Sequence, residues 1–251
     1  MNETTGHRGD RPWSRTALTG FALGLGAIAG IALSGIGYRY GWWQVTTALN
    51  ISTYAAYTAA LGLVLSVIGL ARSRPGGERR GFLVGLLGLA ASLPVVAMAA
   101  EWEYATRAYP PINDVSTDIE DPPVFWDMPK PTDYPGGEVA ELQRAAYPDL
   151  APLALTVTPD QAFSLARELV DDEGWEIVAE EPEDGRIEAV AGSFLYDFKD
   201  EVIIRVTPSD GGAIIDVRSR SRTGRLDRGV NAKRIRAVLT ELKERSGDVR
   251  P

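Results

Sequence analysis

Three long stretches within the first hundred residues carry no charged side chain: Ala17 to Gly37, Val45 to Ala71 and Gly81 to Ala100. A helix of about 20 apolar residues crosses the hydrocarbon of a bilayer, and in lipid every backbone polar group must bond within its own segment. The expectation is a 1–16 tail and three transmembrane helices at about 17–37, 45–71 and 81–100. A cleaved signal peptide would have an apolar core of only about 7–15 residues, shorter than the first stretch. Gly20/Gly24 and Gly26/Gly30 have the small-xxx-small spacing that lets membrane helices approach closely. Pro94 should kink the third span, which a packed membrane helix tolerates.

Arginines orient the spans. Arg8, Arg11 and Arg15 precede the first, and Arg72, Arg74, Arg79 and Arg80 lie between the second and third. Arg39 and Arg107 occupy the opposite side. The positive-inside rule then predicts a multi-pass protein of the inner (plasma) membrane, with its N-terminus cytoplasmic and its C-terminal part extracytoplasmic. Trp42, Trp43, Trp102 and Tyr104 fall at the outer interface, as an aromatic belt would.

Composition narrows the chemistry. The chain has no cysteine, and its one histidine, His7, lies in the polar tail. Thiol nucleophiles, disulfides, His-based catalysis and His- or Cys-ligated zinc are thereby excluded. Residues 1–100 hold eight Arg against three acids; residues 101–251 hold 18 Lys and Arg against 31 acids. An acidic part outside the cytoplasm is a poor nucleic-acid binder. No catalytic residue, metal ligand or cofactor is expected.

Residues 101–152 contain nine prolines, which interrupt helices and central strands, yet also Tyr109, Phe125, Trp126, Tyr134 and Tyr147. This reads as an extended arm laid onto a domain at 153–247. In the domain, Leu153–Val157 is a short strand. Thr158-Pro159-Asp160-Gln161 opens a helix with a capping box. Strands follow at Trp175–Glu180, Arg186–Ala191, Glu201–Thr207 and Ile214–Arg222, and a helix is marked by Ile235, Val238, Leu239 and Leu242. The fold class is α+β: an antiparallel sheet of four to five strands, covered on one face by two helices, with a Pro-rich extended arm, on a three-helix transmembrane anchor.

The last strand reads Ile214-Ile-Asp-Val-Arg-Ser-Arg-Ser-Arg222. Alternation puts Asp216, Arg218, Arg220 and Arg222 on one face. If Asp210-Gly211 is a two-residue hairpin loop, paired residues sum to 421 and Arg205 faces Asp216. Two readings of the arginines stay open. Acids of the arm, Asp114 or Asp118, neutralise them; or the row holds an anion, since guanidinium forks match phosphate and carboxylate. The two can coexist if the arm borders the site. Asn113 to Asp121 lacks the spacing of a calcium loop and fits turn chemistry.

Asn113-Asp-Val-Ser-Thr-Asp118, Pro122-Pro-Val-Phe125, Tyr147-Pro148, Phe198–Val206, Asp216–Arg222, Gly224, Asp227, Gly229-Val-Asn231 and Arg234-Ile235 resemble a family of envelope proteins. That family is catalogued as domain of unknown function 1499. The resemblance spans roughly residues 110–245 and implies an extracytoplasmic or lumenal setting, with no established reaction.

The functional expectation is a membrane-anchored binding or accessory module. Its candidate ligand-binding residues are Arg205, Asp216, Arg218, Arg220, Arg222, Asn231 and Arg234, bordered by Asn113, Asp114 and Asp118. The candidate partners, besides the membrane itself, are an anionic small molecule, a lipid headgroup or an envelope protein. The alternatives are an envelope hydrolase using two converging carboxylates, and a structural subunit of a membrane complex.

Overall fold

The computed structural model describes residues 11–77 and 79–247; His7 and Arg8, named above, lie outside the described residues. The chain divides into two compact units between Tyr104 and Ala105.

The first unit is built from α1 (Arg15–Arg39), α2 (Val45–Arg72) and α3 (Phe82–Ala108), each long and apolar enough to cross a membrane. They mark a membrane-associated protein. Ser14 caps α1 by accepting from Ala17 N–H at 3.3 Å. Buried positions are small: Gly20, Gly24 and Ala27 on α1; Ala59, Gly62 and Ser66 on α2; Gly85, Gly88 and Ser92 on α3. Close backbone approach is what holds helices together where lipid is as apolar as they are. At Gly69 a Cβ would lie 2.6 Å from Ala17 Cα, so α1 and α2 meet there backbone to backbone. Gly20 and Gly24 sit in this packing, whereas Gly26 faces open space. All three helices outrun the expected spans. α3 continues through 101–108, residues assigned above to the arm. Hydropathy marks where an apolar stretch ends, and helical hydrogen bonding continues past that point.

The second unit contains β1 (Asp114–Ser116), α4 (Gly137–Ala146), β2 (Leu153–Leu155), α5 (Pro159–Asp172), β3 (Glu176–Glu181), β4 (Arg186–Gly192), β5 (Lys199–Ser209), β6 (Gly212–Ser221) and α6 (Val230–Arg245). The sheet is antiparallel in the order β1-β6-β5-β4-β3, and β2 pairs with the same edge of β6 nearer its start. The β5–β6 hairpin has the expected register, with Arg205 opposite Asp216. The capping box of α5 is formed: Thr158 Oγ1 accepts from Gln161 N–H and Gln161 Oε1 from Thr158 N–H.

One face of the sheet is apolar. Ile187, Ala189, Val202, Ile204, Val206, Ile215 and Val217 pack with Phe163, Ala166 and Leu169 of α5 and Ile235, Val238 and Leu242 of α6. This is the two-helix cover expected from the alternation. The opposite face carries charge, and the arm covers it.

The expected sheet of four to five strands therefore needs correction to six. The arm contributes β1, whose three residues are too few to show a period. The arm is also not extended throughout. Pro135 and Pro148 bracket a proline-free run that forms α4. From α4, the buried Gln143 closes the outer edge of β1: its Nε2 donates to Ser116 O at 2.6 Å and its Oε1 accepts from Ser116 N–H at 3.0 Å. A side-chain amide here does what a seventh strand would do, and leaves no unpaired edge at that residue.

Candidate functional site: the arginine row of the sheet

On the charged face, β6 presents Asp216, Arg218 and Arg220, β5 presents Glu201 and Arg205, and β4 presents Glu188. Arg218 is fully buried. Its Nε and Nη2 donate to Asp114 Oδ1 and Oδ2 at 2.9 and 2.8 Å, and its remaining donors reach Pro123 O at 3.0 Å and Thr132 O at 3.1 Å. Arg220 donates to Glu201 Oε2 at 2.6 Å, to Lys130 O at 2.7 Å and to Thr132 Oγ1. Between these guanidinia lies Phe125, itself fully buried, with its ring centre 5.0 Å from the Arg218 Cζ and 4.3 Å from that of Arg220. The ring's negative face suits the cations and its apolar body excludes water.

The row continues to both sides. Arg222 donates to Glu201 Oε1 at 2.7 Å, so one carboxylate bridges two arginines. Arg205 divides its donors between Asp216 Oδ2 at 3.0 Å and Asp121, reaching Oδ2 at 3.0 Å and the carbonyl at 2.8 Å. Asp216 Oδ1 also accepts from Thr117 Oγ1 at 3.1 Å. On β4, Glu188 is fully buried; it takes the backbone N–H groups of Trp126 and Asp127 at 2.7 and 3.1 Å and Arg186 Nη1 at 2.5 Å. Tyr134 donates to Gln143 Oε1 at 3.0 Å beside Arg218, and burial, then the charge of Asp114, pushes its phenol up to about 12.

Arm and sheet thus interlock by alternating charge. The arm supplies Asp114, Asp121, Asp127 and the carbonyls of Pro123, Lys130 and Thr132. The sheet supplies Arg186, Arg205, Arg218 and Arg220. Asp118 takes no part in this: its Oδ1 accepts from the Glu120 and Asp121 N–H groups and shapes the turn that brings Asp121 to Arg205.

Asn113, Asn231 and Arg234 belong elsewhere, at the junction of β1, the end of β6 and the start of α6. Asn231 Oδ1 accepts from Ser219 Oγ at 2.7 Å and Arg234 Nη1 at 2.7 Å, and its Nδ2 donates to Asn113 O at 3.0 Å. Arg234 Nη2 reaches Asp200 Oδ2 at 2.7 Å. Asn113 Nδ2 donates to Gly224 O at 2.6 Å. Asp227 takes the Gly229 and Asn231 N–H groups at 2.8 and 2.7 Å, closing the first turn of α6. Burial raises the Asp227 carboxyl above its ordinary value, the charge of Asp200 adds to this, and the backbone donors oppose it. The candidate residues therefore form two clusters on opposite faces of the sheet, joined through β6.

Several of these partners were not singled out from sequence. Glu201 was within reach, because 201 and 220 also sum to 421 and the hairpin register puts them opposite each other. Glu188, Asp121 and Phe125 were not, since their placement depends on how the arm folds back over the sheet.

No curated protein matches the chain. The profile described as Protein of unknown function (DUF1499) matches residues 114–242, from the first residue of β1 to the last buried leucine of α6. That interval contains the arginine row and, apart from Asn113, the Asn231 cluster, and the chain belongs to this family.

Proposed function

We infer that the protein is an integral membrane protein with a cytoplasmic N-terminus and three spans, and that its second unit works outside the cytoplasm as a binding or accessory module. The observation that supports the module reading is the Arg218–Asp114 fork and the network around it. Guanidinium donors that could have gripped a phosphate or carboxylate end on groups of the same chain. Displacing Asp114 from Arg218 would leave a buried carboxylate without its partner, which is costly. The row is therefore assigned to holding the arm on the sheet. Contact with an anionic partner falls to Arg222, the member of the row whose side chain is 34 % exposed. On this reading the module acts through the surface it presents.

A carboxylate hydrolase has one observation on its side, the raised Asp227 carboxyl beside Asp200. Both Asp227 oxygens are taken by N–H groups at the start of α6, those of its N-cap Gly229 and of Asn231, so we assign it to capping.

Reporter fusions test the arrangement. A fusion after Arg74 should report the cytoplasm and one after Pro251 the opposite side. A cytoplasmic signal from both would overturn the reading.

A further inference from the structure

One end of the sheet gathers three connections. β4 and β5 are joined there, with Gly192 opposite Lys199, and Asp200 faces Ser221 at the end of β6. The chain enters the unit at the same end. Ser221 N–H donates to Asn113 O at 2.9 Å and Asp227 N–H to Ile112 O at 3.0 Å. Arg228 Nε reaches Thr106 Oγ1, in the last turns of α3, at 2.8 Å, and Lys233 Nζ stands 5.2 Å over the Tyr109 ring. So the end of the sheet that carries the β4–β5 tip is also the end at which the chain enters the second unit.

The tip is built to hold an apolar side chain outward. Ser193 N–H donates to Phe198 O at 2.9 Å, Asp197 N–H to Ser193 O at 2.8 Å, and Phe198 N–H to Ser193 Oγ at 2.9 Å. Tyr196 and Phe198 stack with ring centres 5.0 Å apart beneath it. Phe194 at the apex is 94 % exposed, and Val230, at the same end, is 45 % exposed. Arg222, just past the end of β6, and Arg225, in the loop that follows it, are exposed. An aromatic tip with exposed arginines at the same end of the sheet has the chemistry of the headgroup layer: rings partition into the boundary with the acyl chains, and cations attract anionic lipids.

We propose that the β4–β5 tip is a membrane-surface contact, with Phe194 and Leu195 in the headgroup–acyl boundary of the bilayer that holds this chain's own helices, and Arg225 against anionic headgroups. The proposal rests on the membrane-anchor reading above.

The absence of cysteine makes single-site labelling clean. The full chain is placed in nanodiscs of equimolar phosphatidylcholine and phosphatidylglycerol, with a nitroxide at Phe194→Cys. Leu195→Cys repeats the measurement with Phe194 kept. Leu61→Cys on α2 is the lipid reference and Asp210→Cys, at the opposite end of the sheet, the aqueous one. Labels at 194 and 195 should collide with oxygen and be shielded from a water-soluble nickel chelate, their ratio several-fold above that at 210. Arg225→Gln should lower that ratio. If 61 is lipid-exposed while 194 and 195 are as aqueous as 210, the tip proposal fails and the anchor reading stands. Shielding from both probes would mean burial against protein, and would also overturn it. An aqueous signal at 61 would overturn the anchor reading and this proposal together.

Discussion

Arg218 and Asp114 meet as a two-point fork, Nε to Oδ1 at 2.9 Å and Nη2 to Oδ2 at 2.8 Å, where the guanidinium is out of reach of water. The pair joins β6 of the domain to β1, the strand that the arm contributes. Asp114→Ala leaves a buried unpaired cation and should cost about 3–5 kcal/mol. Asp118→Ala, four residues on, loses turn bonds only and should cost about 1 kcal/mol. Thermal unfolding of the full chain in detergent, followed by tryptophan fluorescence, separates the two.

Glu201 and Asp216 are both acids on the charged face, but they are not equivalent. Glu201 serves Arg220 and Arg222 together, whereas Arg205 keeps Asp121 when Asp216 is removed. Glu201→Ala should therefore destabilise more than Asp216→Ala in the same unfolding measurement.

Gln143 covers the β1 edge by bonding Ser116 in both directions. Gln143→Leu keeps the bulk and removes both bonds. Each buried backbone group left without a partner costs about 1–3 kcal/mol. Amide exchange at Ser116 should accelerate, while Val202, in the middle strand β5, stays protected.

Asp227 gives a pH signature of defined sign. Its folded-state value is raised above the ordinary carboxylate range, mainly by burial. The stability that it contributes is complete below that range and is lost as pH rises through the raised value. On acidification from neutral pH, the wild type should therefore gain stability relative to Asp227→Asn. Parallel stability curves for the two would show that Asp227 has no shifted titration.

Much of this architecture is legible in the chain, and the limits have physical causes. Charge-free stretches of this length mark three helices, because an apolar segment that is to cross lipid has to bond within itself. Asp210-Gly211 and the alternation around it set the β5–β6 register, and the same sum pairs Glu201 with Arg220. The helix face follows from period-two spacing of Ile204, Val206, Ile215 and Val217. By contrast, β1 is three residues long and borrows its partner from β6. α4 is masked by the prolines at its borders. The seat of Phe125 between two arginines depends on where a long loop returns, which no local spacing encodes. The arginines are conspicuous in the sequence, but their partners are tertiary. A row of like charges therefore looks identical whether it faces a ligand or its own arm.

The central claim is that the arginine row holds the arm onto the sheet. The most direct test is amide hydrogen exchange across residues 114–134 of the full chain, comparing the wild type with Arg220→Ala. Arg220 holds Glu201, Lys130 O, Thr132 and the face of Phe125. The account predicts slow exchange through this segment in the wild type and a marked acceleration in the variant, with a lowered unfolding temperature. Unchanged protection and unchanged stability in Arg220→Ala would contradict it, and would return the row to the role of an anion-binding surface.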